Sequence, residues 1–265
     1  MAASSASVPS SQPVVVLVPG AWHLPLHYSS LLQRLNHQGF IAISERNPSC
    51  DCTDPDDTST ASDATAIREV ILSQVESGHE VVVAMHSYGG CPGAAAAQGL
   101  SKKERQAAGK PGGVVGLIFI CAFIANEGDS LISKLPGGVR PDWMMLRPDG
   151  QVFPGNPETI FYEDVPSQNR SVAISELRLQ SNASMDTPSP HPAWRDSVFN
   201  GRRSYLYCLR DKAIPFAAQQ MMVETSGVDW NVQTFDCAHS PFLSHTAALS
   251  AWIAEQVRSF IAIVD

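Results

Sequence analysis

Ser87, Asp211 and His239 are the residues whose types and placement could do chemistry together. Ser87 sits in the run Val81-Val82-Val83-Ala84-Met85-His86-Ser87-Tyr88-Gly89-Gly90. A β-branched stretch ends at a serine, and two glycines and an Ala-rich stretch follow. This is the layout of a nucleophile elbow, a tight strand-to-helix turn that strains the serine backbone and lifts its Oγ above the sheet. Gly89 would let the helix pass close to the strand. The pattern also wants a glycine two residues before the serine, where this chain has Met85. On this run alone, a buried strand ending in a serine helix cap reads equally well.

A serine hydroxyl is a poor nucleophile at neutral pH and needs a base to take its proton and an acid to orient that base. Asp211 stands just after the apolar run Tyr205–Leu209, and His239 shortly after the run ending at Phe235. Both fall in loops at the C-terminal ends of expected strands, where open α/β sheets place their sites. His245 competes with His239 as the base; His239 is preferred because it follows its strand sooner. Asp236 is expected to face solvent, and His86 to pack beside the elbow. An oxyanion hole would take the backbone N–H of Tyr88 and, from the loop Val18-Pro19-Gly20-Ala21-Trp22-His23, that of Ala21. One such donor is worth about 3–4 kcal/mol of transition-state stabilisation.

The elements that must position these residues alternate. Val14–Val18, Ile41–Ser44, Glu80–Ala84, Val114–Cys121, Ser204–Leu209 and Asn231–Phe235 read as strands, and most of them as buried ones. Helices are expected over Ser29–Gln38, from a cap at Ser62 or Asp63 to about Ser77, over Gly90–Leu100, from near Pro215, and over an amphipathic C-terminal stretch carrying Leu249, Trp252, Ile253, Val257, Phe260 and Ile261. Cys50–Thr60 and Ser101–Gly113 read as surface loops. The segment 127–200, rich in Pro, Gly and Asn, breaks the rhythm and reads as an insertion between two strands of a single domain spanning 13–265. Residues 1–12 read as a frayed tail.

The chain has 265 residues and a net charge of −8, with 44% hydrophobic and 17% charged residues. This is an ordinary globular composition, and without a Lys/Arg cluster it points away from nucleic acid and anionic membrane surfaces. No apolar stretch is long enough to span a bilayer, and the N-terminus lacks a basic start and an apolar core, so a cytoplasmic location is the default. The six cysteines, at 50, 52, 91, 121, 208 and 237, are irregularly spaced and read as reduced thiols.

With these motifs in place, the chain resembles the small α/β-hydrolases that include plant methylesterases, hydroxynitrile lyases and many bacterial and fungal hydrolases. The resemblance runs from Val14 to the C-terminus. It rests on Val-Leu-Val-Pro-Gly-Ala-Trp-His, His86-Ser87-Tyr88-Gly89-Gly90, Asp211-Lys212-Ala213-Ile214-Pro215 and Ala238-His239-Ser240-Pro241-Phe242. It implies a mostly parallel central sheet flanked by helices, with a small helical cap within 127–200. It further implies Ser87 as nucleophile, His239 as base, Asp211 as its partner, and Ala21 and Tyr88 as oxyanion donors. Pro19 replaces the histidine that usually precedes the first-loop glycine, and Met85 replaces the elbow glycine. Hydroxynitrile lyases of the family carry a threonine where this chain has Gly20 and a lysine where it has Ser240, which argues for hydrolysis. Epoxide hydrolases and haloalkane dehalogenases use an aspartate nucleophile, which Ser87 argues against.

The reading is a serine hydrolase of an ester, thioester or lactone of a small to medium, largely apolar molecule, with no metal or organic cofactor and no partner beyond that substrate. Trp22, His86, the Ala122-Phe123 step, Trp143, Met144, Phe161 and Phe242 are candidates for its pocket. Two alternatives stand beside it. The same triad could cleave or cyclise a polyketide-like ketone in secondary metabolism, or the fold could serve as a ligand-binding protein with little turnover. Monomer and homodimer are both open.

Overall fold

The computed structural model describes residues 12–263. Of the expected N-terminal tail, residues 1–11 lie outside that range. Gln12 is tied down: its amide donates to Gly39 O at 2.9 Å and its carbonyl accepts from His79 Nδ1 at 2.9 Å.

In chain order the strands are β1 (Val14–Val18), β2 (Ile41–Ser44), β3 (Glu80–His86), β4 (Gly113–Ile120), β5 (Met144–Leu146), β6 (Gln151–Pro154), β7 (Gln180–Ser181), β8 (Arg203–Cys208) and β9 (Asn231–Phe235). The helices are α1 (Ser29–His37), α2 (Thr60–Glu76), α3 (Gly90–Ala96), α4 (Lys102–Ala107), α5 (Leu131–Lys134), α6 (Pro157–Ile160), α7 (Ser167–Ser175), α8 (Ala183–Asp186), α9 (Phe216–Thr225), α10 (Pro241–Ser244) and α11 (Thr246–Ala262).

Six strands form one all-parallel sheet in the order β2-β1-β3-β4-β8-β9. Because side chains alternate across a strand, each central strand feeds two cores. Val14, Val16, Val18, Val81, Val83 and Met85 enter the core shared with α2 and α3; Val15, Leu17, Val82 and Ala84 enter the one covered by α1 and α11. The amphipathic face expected at the C-terminus is the contact here, with Leu249, Ile253, Val257 and Phe260 buried in that second core. No helix among the described residues is long and apolar enough to cross a membrane.

The structure corrects several expectations. β9 was expected to be buried but is exposed over Asn231–Thr234, since it is the sheet's edge and pairs only with β8. Residues 101–113 are not wholly loop. Ser101 Oγ accepts the Glu104 N–H at 3.2 Å and Glu104 reaches back to Ser101, a capping box that starts α4. The helix α3 stops at Ala96, short of Leu100. The helix α2 starts a turn earlier than expected, capped at Ser59, where Ser62 Oγ accepts the cap N–H at 3.2 Å.

The chain between β4 and β8 is not purely helical. Short helices α5 to α8 accompany an antiparallel sheet in the order β5-β6-β7, with Met144 opposite Pro154 and Leu146 opposite Val152. Arg147-Pro148-Asp149-Gly150 turns β5 into β6. There Arg147 N–H donates to Gln151 O at 2.8 Å, and Gly150 takes a φ of +74° that the turn needs. Trp22 pins this sheet to the body, its indole N–H donating to Val152 O at 2.9 Å and its backbone N–H to Gln180 Oε1 at 3.1 Å.

Candidate active site

β3 ends at His86, and Ser87–Gly89 form a single tight turn before α3. Ser87 has a φ of +53°, a left-handed conformation that costs a non-glycine residue of order 1 kcal/mol or more and is seen where the surroundings over-determine it. The turn survives because the glycines let backbone approach backbone. A Cβ on Gly89 would lie 2.7 Å from both Val18 O and Pro19 O. Neither carbonyl can yield without moving β1, so Gly89→Ala should destabilise the protein by about 1–3 kcal/mol. A urea unfolding midpoint lowered at unchanged m-value is the check.

Met85 is accommodated one helical turn further on. A Cβ on Gly93 would meet Met85 Cγ at 2.6 Å and Sδ at 2.9 Å. Gly93 thus opens on α3 the space that the missing elbow glycine would have opened on β3.

His239 stands in the loop between β9 and α10, with Nε2 3.0 Å from Ser87 Oγ and Nδ1 2.7 Å from Asp211 Oδ2. A carboxylate only accepts, so Nδ1 carries the proton and Nε2 is left to accept from the Ser87 hydroxyl. Asp211 is itself fixed. Its Oδ1 takes the Ala213 and Ile214 N–H groups, both at 2.8 Å, and Gln219 Nε2 donates to Oδ2 at 3.2 Å. His239 and Asp211 are buried, and Ser87 is 8% exposed.

A second histidine holds the loops. His86 Nε2 lies 2.9 Å from His239 O, a carbonyl, so Nε2 donates and Nδ1 accepts. Tyr28 O–H donates to Nδ1 at 2.8 Å, and its oxygen accepts the Gly20 N–H at 3.0 Å. Burial, reinforced by the nearby His239, keeps the His86 imidazole well below its ordinary pKa and therefore neutral. This chain ties the first loop to the His239 loop.

The amides flanking Ala21 in that first loop are engaged: Gly20 N–H by Tyr28, Trp22 N–H by Gln180. Among the described residues the Ala21 N–H has no acceptor. Gln180 also donates to Ser49 Oγ at 2.6 Å, and Ser49 donates its N–H to Asp63 Oδ1 at 2.8 Å. Asp63 Oδ2 accepts from Tyr88 O–H at 2.5 Å. One buried network therefore reaches both the Ala21 loop and Tyr88.

Burial pushes the Asp63 carboxyl up to about 6, against 3.8 for an unhindered one, despite three donors that pull it down. The unfolded chain releases this proton near pH 4 and the folded chain near pH 6, so the group's contribution falls as pH rises through that window. The size is about 3 kcal/mol. Asp63→Asn cannot titrate. Urea unfolding at pH 4 and pH 7 should show the stability difference shifting against the wild type by that order.

The alpha/beta hydrolase family model matches residues 15–252. The chain belongs to the alpha/beta hydrolase family. It is 31% identical over 237 residues to "Alpha/beta hydrolase nvfD" of Aspergillus novofumigatus, covering 88% of this chain and 92% of the relative. Among solved structures it is similar to a pyrethroid hydrolase of Sphingobium faniae, with TM-score 0.73 and 18% identity over 92% of this chain and 97% of that one. It is also similar to a methylesterase of Arabidopsis, with TM-score 0.68 and 18% identity over 93% and 99%. At such identities these two likenesses speak for the fold.

In this hydrolase Ser87 opens into an apolar cavity whose wall includes Ala21, Trp22, Tyr88, Phe123, Trp143, Met144 and Phe161. Of the residues expected there, His86 and Phe242 lie outside its wall. Their rings pack on each other at 4.9 Å behind the site, where Phe242 also meets Tyr28 at 4.3 Å. At the Ala122-Phe123 step the cavity takes Phe123, and Ala122 turns into the core. Leu131, Leu135, Ala213 and Ile214 also line the cavity, beyond the residues expected from the sequence. The last two lie two and three residues after Asp211, and the i, i+4 spacing of Leu131 and Leu135 in the insertion is the signal that marks the other pair. Asp236, 76% exposed, pairs with Arg210, and His245 Nδ1 engages Ser244 Oγ at 2.9 Å.

Among the described residues, two triplets bring metal-ligating atoms together: His86, Cys121 and His239; and Asp164, Cys237 and His245. In the first both imidazoles already use both nitrogens. In the second, Asp164 Oδ2 accepts the Ala238 N–H at 2.9 Å with the Arg210 guanidinium 3.8 Å away, an unfavourable setting for a cation.

Proposed function

We propose that this hydrolase cleaves a carboxylic ester, thioester or lactone of a small to medium, largely apolar molecule through an acyl-enzyme on Ser87. The observation that carries the reading is the continuous hydrogen-bonded line from Ser87 Oγ through His239 to Asp211 at the floor of an apolar cavity. Ser87 attacks the carbonyl carbon as His239 Nε2 takes its proton. Asp211 keeps the imidazole in the tautomer that can do so and stabilises the cation formed. The Ala21 and Tyr88 N–H groups receive the developing oxyanion, being backbone dipoles fixed before the reaction. His239 then protonates the departing alkoxide or thiolate. Water attacks the acyl group with His239 as base, and Ser87 is released.

No step requires a group beyond these side chains, and the apolar wall suits an uncharged small molecule. The buried unpaired thiols suit a reducing compartment, and a cytoplasmic setting is part of the proposal. A fluorophosphonate should modify one residue, Ser87, as read by peptide mass spectrometry, and His239→Ala should slow the labelling. Modification at another residue, with Ser87 untouched, would overturn the reading.

A further inference from the structure

Beside the Ser87 cavity lies a second one, and the two share a wall. The inner cavity, on which Ser87 opens, leaves about 20 Å³ to the centre of a water-sized sphere. A single water needs roughly 10–15 Å³ on that measure. The outer cavity leaves about 450 Å³ on the same measure. Leu135, Trp143 and Ala213 line both. Trp143 is the largest of the three and is half-buried. Its ring is held edge-on by Trp22 at 5.8 Å and by Phe161 at 5.7 Å, both inner-cavity residues.

We propose that Trp143 is a specificity-determining partition, and that the substrate is an asymmetric ester with one compact side and one bulky side. The proposal rests on the serine hydrolase reading of the same site. Two groups extend from the carbonyl carbon that Ser87 attacks, the acyl chain and the leaving group. The inner cavity admits only a compact apolar one, because Trp22, Phe161 and Trp143 close it. The other group must pass the wall of Leu135, Trp143 and Ala213 into the outer cavity. There Pro136, Val139, Pro141 and Pro215 offer apolar surface, with Arg140, Asp142 and Lys212 among the lining residues. Arg140 is held by Asp186 at 3.0 Å and Lys212 by Glu163 at 2.6 Å, so a neutral bulky group fits better than an anionic one. Esters bulky on both sides are excluded by the partition.

Three esters test this: 1-naphthyl acetate, methyl decanoate and 1-naphthyl decanoate. The wild type should turn over at least one of the first two with kcat/KM about a hundredfold above that for the third. Trp143→Ala should narrow this gap about tenfold or more, and Leu135→Ala should narrow it less. Leu135→Ala also covers the case in which the tryptophan variant fails to fold. In parallel, calorimetry of Ser87→Ala with the same uncleaved esters should show the same ranking, relaxed by adding Trp143→Ala. Equal handling of all three esters by the wild type, or an unchanged gap in folded Trp143 and Leu135 variants, would overturn the partition. If no ester is turned over and a fluorophosphonate leaves Ser87 unmodified, the serine hydrolase reading fails, and the binding ranking still decides whether Trp143 divides the cavity.

Discussion

Ser87→Ala lowers kcat for ester hydrolysis on the order of 10⁶-fold, with substrate binding nearly unchanged. The size follows from what the residue does in the proposed chemistry. Without Oγ there is no acyl-enzyme, and His239 Nε2 loses the hydroxyl partner it had at 3.0 Å. The oxyanion donors and the cavity remain, so a residual acceleration of about 10³–10⁴ over water survives. The fold should not suffer. Ser87 contributes no hydrogen bond that holds an element, apart from its backbone carbonyl, which accepts Phe123 N–H at 3.0 Å and is retained in alanine. Alanine inherits the positive φ at about the same cost as serine. Single-turnover kinetics with a 4-nitrophenyl ester, beside a thermal melt, would measure both. Full activity in a correctly folded Ser87→Ala protein would remove Ser87 from the chemistry.

What the sequence made legible was local. The strands β1 and β3 announce themselves as unbroken apolar runs because both faces are buried. Ser87, Asp211 and His239 are readable because each lies within four residues of the C-terminal end of its strand, and a parallel sheet gathers its strand ends along one edge. The network around them was not readable. Gln180 lies 158 residues from the Trp22 amide it accepts, and Ser49 lies 131 from Gln180. No periodicity or spacing in one chain marks such pairs. Asp63 illustrates the limit. As a short acid near a helix start it reads as a cap, yet Ser59 performs that task and Asp63 turns inward to Ser49 and Tyr88. Met85 looked like a defect of the elbow because the compensating gap, at Gly93, is on the neighbouring helix. The insertion concealed its β5-β6 hairpin behind short strands of three and four residues, although Pro148-Asp149-Gly150 carried the turn signal.

Asp211→Asn lowers kcat by about 10⁴-fold while leaving the substrate's KM close to its original value. The carboxylate now accepts everything offered to it: His239 Nδ1–H and Gln219 Nε2 on Oδ2, and the Ala213 and Ile214 amides on Oδ1. An asparagine must choose. The two backbone donors on Oδ1 are fixed by the turn that leads into α9, so the amide oxygen stays there and the NH₂ falls at Oδ2. The NH₂ then faces two former donors. Gln219 loses one 3.2 Å contact and stays held by Ile214 O and by the Cys208 N–H and carbonyl, but His239 can meet an NH₂ only by presenting a bare Nδ1, which places its proton on Nε2. In that tautomer the imidazole cannot accept from Ser87, and the base is lost although every heavy atom stays in place. The change should therefore be much larger in kcat than in stability. Raising pH would not restore the rate to the wild-type value, since the fault is the position of a proton and not the charge of the ring. Asp211→Glu keeps an acceptor but moves it by one methylene, which would break the pair of 2.8 Å amide bonds on Oδ1 and cost stability as well. Comparing kcat, KM and the melting temperature of the two variants separates tautomer control from simple bracing of the loop: a brace alone would leave Asp211→Asn nearly as active as the wild type.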